Sequence, residues 1–244
     1  MRHRPSFESF AELARDHTLV PVYRRLVADA LTPVLAYWRL HDGQPAFLFE
    51  SVVGGERVGR FSFVGAGPFL RFEASGHRVR IQHGDEPAVE SVEADPLKTL
   101  EHLIATYRAP NLPGLPRFTG GAVGYAGYDT VRYVERLPNA PPDDRHLPDL
   151  RFAFYDQMVI FDHITKTVTA VALAHGGGSP PFAKGGLRPA YDLACHRVDD
   201  LVTKLGRPAD LPPTDIDPAP NEALTIQYQS NLPPGGYQDA VRKA

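Results

Sequence analysis

The hydrophobic pattern of the chain consists mainly of short apolar runs, many of which alternate with polar residues in the manner of half-buried β-strands. Residues 47–49 form one apolar run, and residues 60–64 alternate as Arg, Phe, Ser, Phe, Val. Gly54 and Gly55 lie between these two runs. We therefore predict two strands joined by a glycine-broken connection.

Further segments show strand patterns in the rest of the chain. Residues 19–29 predict a strand in which Pro21 favours an edge or early position. Residues 69–73 and 77–83 flank a Ser-Gly pair and predict a hairpin. The predicted strands that follow are 151–156, 158–163, 168–174 and 224–229. The first three of these are separated by short turns and predict an antiparallel meander.

Helical periodicity marks five segments. These are residues 6–16, 33–41, 96–107, 187–205 and 237–244. Ser6, Thr32 and Asp95 precede the first three and are good helix N-caps, and a proline follows both Thr32 and Asp95 at the first helical position. In the fourth segment, the apolar positions Tyr191, Cys195, Val198, Leu201, Val202 and Leu205 form one stripe. Trp38, the single tryptophan, is interpreted as a core or interface anchor.

Residues 118–129 are rich in glycine and admit two interpretations. Glycines can let backbone N–H groups approach a phosphate, but neither a Walker sequence nor a G-x-G dinucleotide turn is present. Tyr125 and Tyr128 alternate with the glycines. This pattern favours a strand that lies close against another backbone, with Asp129 capping a short helix after it.

Composition and charge exclude several classes of protein. The 244 residues carry a formal net charge of −3, so nothing indicates a nucleic-acid-binding surface. No apolar run reaches the length of a membrane span, and no signal peptide is present at the N-terminus. One cysteine, Cys195, excludes an internal disulfide. We therefore expect a cytoplasmic protein that binds neither nucleic acid nor membrane.

Candidate catalytic residues are few. Cys195 and His196 are adjacent in sequence, but neighbouring residues of a helix do not face each other. Asp156 and Asp162 could form a carboxylate pair, although each precedes a turn, where aspartate commonly bonds the backbone. The ten histidines show no metal-ligand spacing. We predict no catalytic and no metal-ligating residue in this chain.

Glu50 and Ser51 are the polar residues that end the apolar run 47–49. A carboxylate and a hydroxyl at a strand end can face a small polar ligand. Alternatively, Glu50 pairs with Arg57 or Arg60, and Ser51 bonds only the local backbone. The residues alone leave both interpretations open.

Three stretches in order resemble one enzyme family, the component I subunits of anthranilate synthase. They are FLFESVVGGERVGRFSFVG, FTGGAVGYAGYDTVRYVERLP and PDLRFAFYDQMVIFDH, at residues 47–65, 118–138 and 148–163. With SNLPPGGYQDAVRKA at the end, the resemblance runs from about residue 7 to residue 244.

The resemblance implies an α+β fold with two facing antiparallel β-sheets and flanking helices, incomplete at the C-terminus. It also implies the first committed step of tryptophan biosynthesis, in which chorismate and ammonia give anthranilate and pyruvate with Mg²⁺. The ammonia comes from glutamine through an amidotransferase partner, component II. L-Tryptophan is the feedback inhibitor, and Ser51 matches the serine that contacts it, with Glu50 beside it. The Mg²⁺ ligands and the chorismate site are expected beyond residue 244.

The resemblance divides the chain into residues 1–174, the component I N-terminal region, and 175–223, glycine- and proline-rich linkers that flank the helix 187–205. Residues 224–244 are expected to begin a truncated chorismate-binding domain, so this chain alone is predicted to be inactive. Two alternatives stay open at this point. One is component I of aminodeoxychorismate synthase, and the other is a non-catalytic amino-acid-sensing or interaction domain.

Overall fold

The computed structural model describes residues 3–27, 29–50, 59–175, 186–208 and 229–243. The chain divides into two compact units, Met1–Ala209 and Asp210–Ala244. Among the described residues, the first unit holds every strand of the two sheets and four α-helices, and the second holds one α-helix.

The helices are α1 (Phe7–Leu13), α2 (Pro33–Leu40), α3 (Pro96–Thr106), α4 (Leu187–Leu205) and α5 (Gly236–Lys243). The strands are β1 (Leu19–Val27), β2 (Ala46–Phe49), β3 (Phe61–Ala66), β4 (Leu70–Ser75), β5 (Arg78–His83), β6 (Val89–Val92), β7 (Gly121–Ala126), β8 (Leu150–Tyr155), β9 (Gln157–Asp162) and β10 (Thr167–His175). A 3₁₀ helix covers Tyr128–Tyr133.

The ten strands form two antiparallel five-stranded sheets. Sheet 1 has the order β1-β10-β9-β3-β2, and sheet 2 has the order β6-β5-β4-β8-β7. The predicted α+β class with two antiparallel sheets and flanking helices is confirmed. β1 lies at the edge of sheet 1, which explains how Pro21 is tolerated within a strand.

Apolar side chains form layers on both faces of each sheet. Helices α1, α2 and α4 cover the outer face of sheet 1, where Phe10, Val159 and Val198 lie in one fully buried cluster. Helix α3 covers the outer face of sheet 2 through Leu100, packed with Phe72. A third cluster lies between the sheets, because alternate residues of β8 and β9 point inward.

The predicted helix caps are confirmed by hydrogen bonds. The Ser6 side chain accepts from Ser9 N, the Thr32 hydroxyl accepts from Leu35 N at 3.1 Å, and Asp95 accepts from Leu97 N at 3.1 Å. These bonds satisfy N–H groups that have no partner within the helix. The local capping signals in the sequence therefore fixed three helix starts.

The predicted antiparallel meander is wrong about its first strand. The prediction joined residues 151–156, 158–163 and 168–174 in one sheet. β9 and β10 form a hairpin, but β8 belongs to sheet 2 and pairs with β4 and β7. Asp156 alone separates β8 from β9, so the chain changes sheet at this residue. Alternation along each strand does not reveal which sheet the strand joins, because both sheets have an inward and an outward face.

The Asp156 side chain explains how such an abrupt crossover is held. Its carboxylate is 2% exposed and accepts hydrogen bonds from both Arg197 terminal nitrogens, one of them at 2.8 Å. His175 Nε2 lies 3.1 Å from the same carboxylate. Arg197 comes from α4 and His175 from β10, so this cluster ties the crossover to two other elements.

The glycine-rich segment folds as the predicted strand β7. A Cβ atom added at Gly124 would lie 2.0 Å from the Arg151 carbonyl oxygen, and one added at Gly120 would lie 2.3 Å from Leu173 Cδ1. Both glycines are therefore required by close approach of other atoms. This confirms the predicted strand that lies close against another backbone.

Two local predictions need correction. Trp38 is 56% exposed on α2, so its prediction as a core residue is wrong, and its role as an interface anchor stays a prediction. The short helix after β7 is a 3₁₀ helix that starts at Tyr128, so Asp129 lies inside its first turn and does not cap it. The Asp129 carboxylate instead accepts from Arg132 Nε at 2.6 Å.

Two helices follow β10 in the described residues. Helix α4 has the predicted bounds, and α5 confirms a helix in the last segment. Residues 224–228 of the predicted strand and most of the linker residues lie outside the described residues, so the strand stays a prediction. No helix in the described ranges is long and apolar enough to cross a membrane.

Candidate functional site

An open cleft of about 680 Å³ lies between the two sheets, where β2 and β3 of sheet 1 approach β7 and β8 of sheet 2. Its described lining residues are Leu48, Phe49, Glu50, Phe61, Phe63, Phe118, Ala122, Val123, Gly124 and Phe152. Within the described residues, β2 and β7 are edge strands. The cleft therefore lies where both sheets end.

Aromatic rings form the apolar surface of the cleft. Phe61 and Phe63 alternate with the buried residues Ser62 and Val64 along β3, so both rings point toward sheet 2. The Phe63 and Phe118 rings meet edge to face, with centroids 5.4 Å apart. Phe61 and Phe63 lie 6.1 Å apart. Such rings offer both faces and edges to an aromatic ligand.

Glu50 is the ionisable side chain among the described lining residues. It follows β2 directly and is exposed. Edge strands such as β2 and β7 also leave backbone N–H and C=O groups that are not used by a neighbouring strand. A carboxylate and free backbone groups beside an aromatic surface suit a ligand with an ammonium group, a carboxylate and a ring.

The alternative in which Glu50 pairs with Arg60 is not observed. Arg60 Nη2 donates to Asp162 Oδ2 at 2.8 Å, and Arg60 Nε donates to Asp162 Oδ1 at 3.2 Å. Partial burial raises the pKa of Asp162, but hydrogen bonds from Arg60 and from backbone N–H groups outweigh it and bring that pKa to about 2. Arg60 therefore pairs with Asp162, where the β9–β10 turn begins.

A family model described as chorismate binding enzyme matches residues 16–244. The chain belongs to the chorismate-binding enzyme family.

Curated members of this family resemble the chain over most of its length. Anthranilate synthase component 1 of Cereibacter sphaeroides is 37% identical over 245 residues, covering 98% of this chain and 47% of the relative. The chloroplastic anthranilate synthase alpha subunit 1 of Arabidopsis thaliana is 36% identical over 257 residues, covering 97% and 42%. The corresponding component 1 of Acetivibrio thermocellus is 36% identical over 199 residues, covering 81% and 38%.

A solved member of the family is similar at lower identity. The crystal structure of anthranilate synthase component I from Streptococcus pneumoniae TIGR4 is 26% identical, covers 76% of this chain and 37% of that chain, and gives a TM-score of 0.45. The chain spans less than half the length of the relatives named above.

The two residues assigned to the tryptophan site from the family resemblance have different outcomes. Glu50 lines the cleft, as described above. Ser51 and residues 52–58 lie outside the described residues, so the role of Ser51 stays a prediction.

Other residues with candidate chemistry are used elsewhere in the fold. Asp156 and Asp162 do not share a site, since Asp156 binds Arg197 and Asp162 binds Arg60. Burial raises the pKa of the Cys195 thiol, and His196 is exposed on α4, so the two do not form a nucleophile and base. Within the described ranges, no three His, Cys, Asp or Glu side chains could together hold a metal ion.

Phe118 and Val123 are site residues that sequence reasoning did not identify. Phe118 precedes β7 and Val123 lies within it, whereas the predicted ligand contacts all lay at the end of β2. The sequence feature that could have identified them is the glycine-rich segment itself. A strand that packs closely against its neighbours holds the side chains beside its glycines in defined positions. That signal does not say which sheet edge lies opposite.

Proposed function

We propose that this chain is the N-terminal portion of anthranilate synthase component I. The observation that supports this most directly is the 36–37% identity with proteins of that name over 97–98% of the chain. The whole enzyme would convert chorismate and ammonia to anthranilate and pyruvate, the first committed step of tryptophan biosynthesis. An amidotransferase subunit, component II, would supply the ammonia from glutamine.

Within this proposal, the cleft between the sheets is one wall of the tryptophan feedback site. Phe61, Phe63 and Phe118 provide an apolar surface for the indole ring, and the Glu50 carboxylate can pair with the ammonium group. Ser51 would donate or accept a further hydrogen bond next to Glu50. The open form of the cleft fits a site whose other wall comes from elsewhere in the gene product.

The chemical step belongs, in this proposal, to the remainder of the gene product. The described residues do not offer a ligand set for Mg²⁺, which prefers several oxygen ligands around one point. We assign Mg²⁺ and chorismate to residues after 244, and we expect the 244-residue chain alone to be inactive. A cytoplasmic location is proposed on the basis of the single cysteine.

The test is to assay the full-length gene product with chorismate, ammonia and Mg²⁺, and to repeat the assay with added L-tryptophan. We expect anthranilate as the product and inhibition by tryptophan. Ser51→Phe should weaken inhibition by filling the pocket while leaving turnover nearly unchanged. Ser9→Phe, at an exposed position on α1, is the matched control.

Other outcomes separate the remaining alternatives. Formation of aminodeoxychorismate in place of anthranilate would assign the chain to the paralogous component I that supplies a folate precursor. Tryptophan binding with no consumption of chorismate would indicate a non-catalytic sensing domain. Inhibition that Ser51→Phe leaves unchanged would remove Ser51 from the site.

A further inference from the structure

Phe118 connects the two sheets at the cleft. It lies in the segment that leads into β7 of sheet 2, yet its ring contacts two rings of sheet 1. The Phe118 centroid is 6.2 Å from that of Phe47 and 5.4 Å from that of Phe63. Phe118 itself is half-buried, so part of its ring faces the open space of the cleft.

The backbone that carries Phe118 is tightly held. Thr119 is 6% exposed, and a Cβ atom at Gly120 would lie 2.9 Å from the Tyr155 carbonyl oxygen. Gly121 has a φ of +134°, a conformation that favours glycine. The three residues after Phe118 are thus constrained by burial, by close approach or by backbone conformation, so the Phe118 ring is attached to a closely packed backbone.

The neighbouring rings differ from Phe118 in what a ligand can contact. Phe47 is 7% exposed and packs against Tyr155 at 4.8 Å, so it is part of the closed core. Phe49 is 51% exposed at the rim of the cleft. The burial of Phe118 is intermediate between that of Phe47 and that of Phe49. One side of its ring packs on Phe63, and the other faces the cleft.

We propose that Phe118 determines the size of the aromatic side chain that the cleft accepts. The inference rests on the proposed tryptophan site and assigns a specificity residue within it. A ring that lines an apolar cleft and is attached to a closely packed backbone limits the ligand ring sterically, since closely packed apolar surfaces do not accommodate extra atoms without strain. Replacing Phe118 with a smaller residue should therefore admit a larger ring.

The experiment measures the affinity of the full-length gene product for L-tryptophan and for 5-bromo-L-tryptophan by calorimetry. In wild type, we expect the brominated ligand to bind more weakly. Phe118→Leu should change the ratio of the two dissociation constants by about tenfold in favour of the brominated ligand, the scale on which apolar pockets discriminate size. Phe118→Trp should change the ratio in the opposite direction.

Phe69→Leu is the matched control. Phe69 is also half-buried and also makes an edge-to-face contact, with Tyr107 at 5.2 Å, but that contact lies in the cluster under α3. Its replacement should destabilise the protein to a similar extent without changing the ratio. A thermal melt of each variant shows whether it is folded.

The results distinguish this inference from the proposed function. If wild type does not bind L-tryptophan, the proposed function fails and the inference fails with it. If wild type binds L-tryptophan and neither Phe118 variant changes the ratio, the inference alone is overturned. If Phe118→Leu does not fold, Phe118→Trp decides, because a ratio that stays at the wild-type value there also overturns the inference.

Discussion

The space between the two sheets contains a closed region and an open region built from the same kinds of side chain. In the closed region, each of six side chains is less than 9% exposed: Tyr23, Phe47, Tyr155, Met158, Ile160 and Val171. In the open region, Phe61, Phe63 and Phe118 are only half-buried around the cleft. Hydrophobicity alone therefore does not separate a core from a binding surface.

The difference does not follow from central or edge position alone. Phe47 is buried on the edge strand β2, whereas Phe61 and Phe63 are half-buried on β3, which has a neighbouring strand on each side. Met158, Ile160 and Val171 lie on β9 and β10, which have a neighbouring strand on each side. The cleft lies beside β2 and β7, which end their sheets within the described residues. The two regions differ in what each side chain faces: Phe47 packs against Tyr155 of β8, whereas Phe61 and Phe63 lie where the space between the sheets opens into the cleft and leaves apolar surface partly uncovered.

The largest effect on stability is expected at the crossover beside the closed region. Asp156→Asn removes a buried charge that pairs with Arg197 and His175, and loss of one partner from such a pair costs about 4 kcal/mol of unfolding free energy. Burial raises the pKa of Asp156, but hydrogen bonds from His175 and Arg197 outweigh it and the pKa lies below its ordinary value.

The sign of the pH dependence follows from this lowered pKa. The ionised Asp156 stabilises the fold above the ordinary aspartate pKa of about 4, and the contribution is lost as pH falls through the folded-state value. Urea unfolding at pH 7 and at pH 3 should therefore show a larger difference between wild type and Asp156→Asn at pH 7. Asp192→Asn is the control and should cost less than about 1 kcal/mol, because the Arg188–Asp192 pair on α4 is exposed.

The next effect compares the two regions directly. Ile160→Ala in the closed region should cost about 3 kcal/mol, since the side chain is 2% exposed and its removal leaves a cavity. Phe61→Ala in the open region should cost only about 1 kcal/mol, because part of its ring is already in water. Urea unfolding measures both values, and equal costs would contradict the division into two regions.

A smaller effect is expected at the glycine that allows β7 to approach β8. Gly124→Ala places a Cβ 2.0 Å from the Arg151 carbonyl oxygen and 2.7 Å from Phe152 Cα. Strain of this kind costs about 2 kcal/mol. Gly206→Ala is the control, since its φ is −83° and its nearest atom would be 3.5 Å away. Thermal unfolding should show Gly206→Ala near wild type, and a similar result for Gly124→Ala would disprove the close approach.

The smallest effect on stability is expected at Glu50. Glu50→Gln should leave the unfolding midpoint unchanged, because the side chain is exposed at the end of β2. In the full-length gene product, the same change should weaken L-tryptophan binding about tenfold, the scale of one hydrogen bond to a charged group. Glu101→Gln on the exposed face of α3 is the control. An unchanged affinity would place the ammonium group elsewhere.

The local elements of this fold could largely be predicted from the sequence. The starts of α1, α2 and α3 followed from Ser6, Thr32 and Asp95, because capping depends on residues within one turn of each other. The bounds of α4 followed from one apolar stripe. The prediction of Trp38 as a core residue was wrong because large aromatic residues are usually buried, and nothing in the local pattern showed that its side chain is exposed.

Most of the strands, the starts of three helices and the close approach at the glycines follow from the sequence, although β6 was not predicted and Glu50 as a ligand contact stays a prediction. These depend on neighbouring residues or on a resemblance that lies in the residues themselves. Only the tertiary structure decided that β8 and β9 join different sheets and that Phe118 meets Phe63 across the cleft. The reason is physical: alternation specifies that a strand has two faces, while the neighbour of each face is selected by packing between residues far apart in the chain.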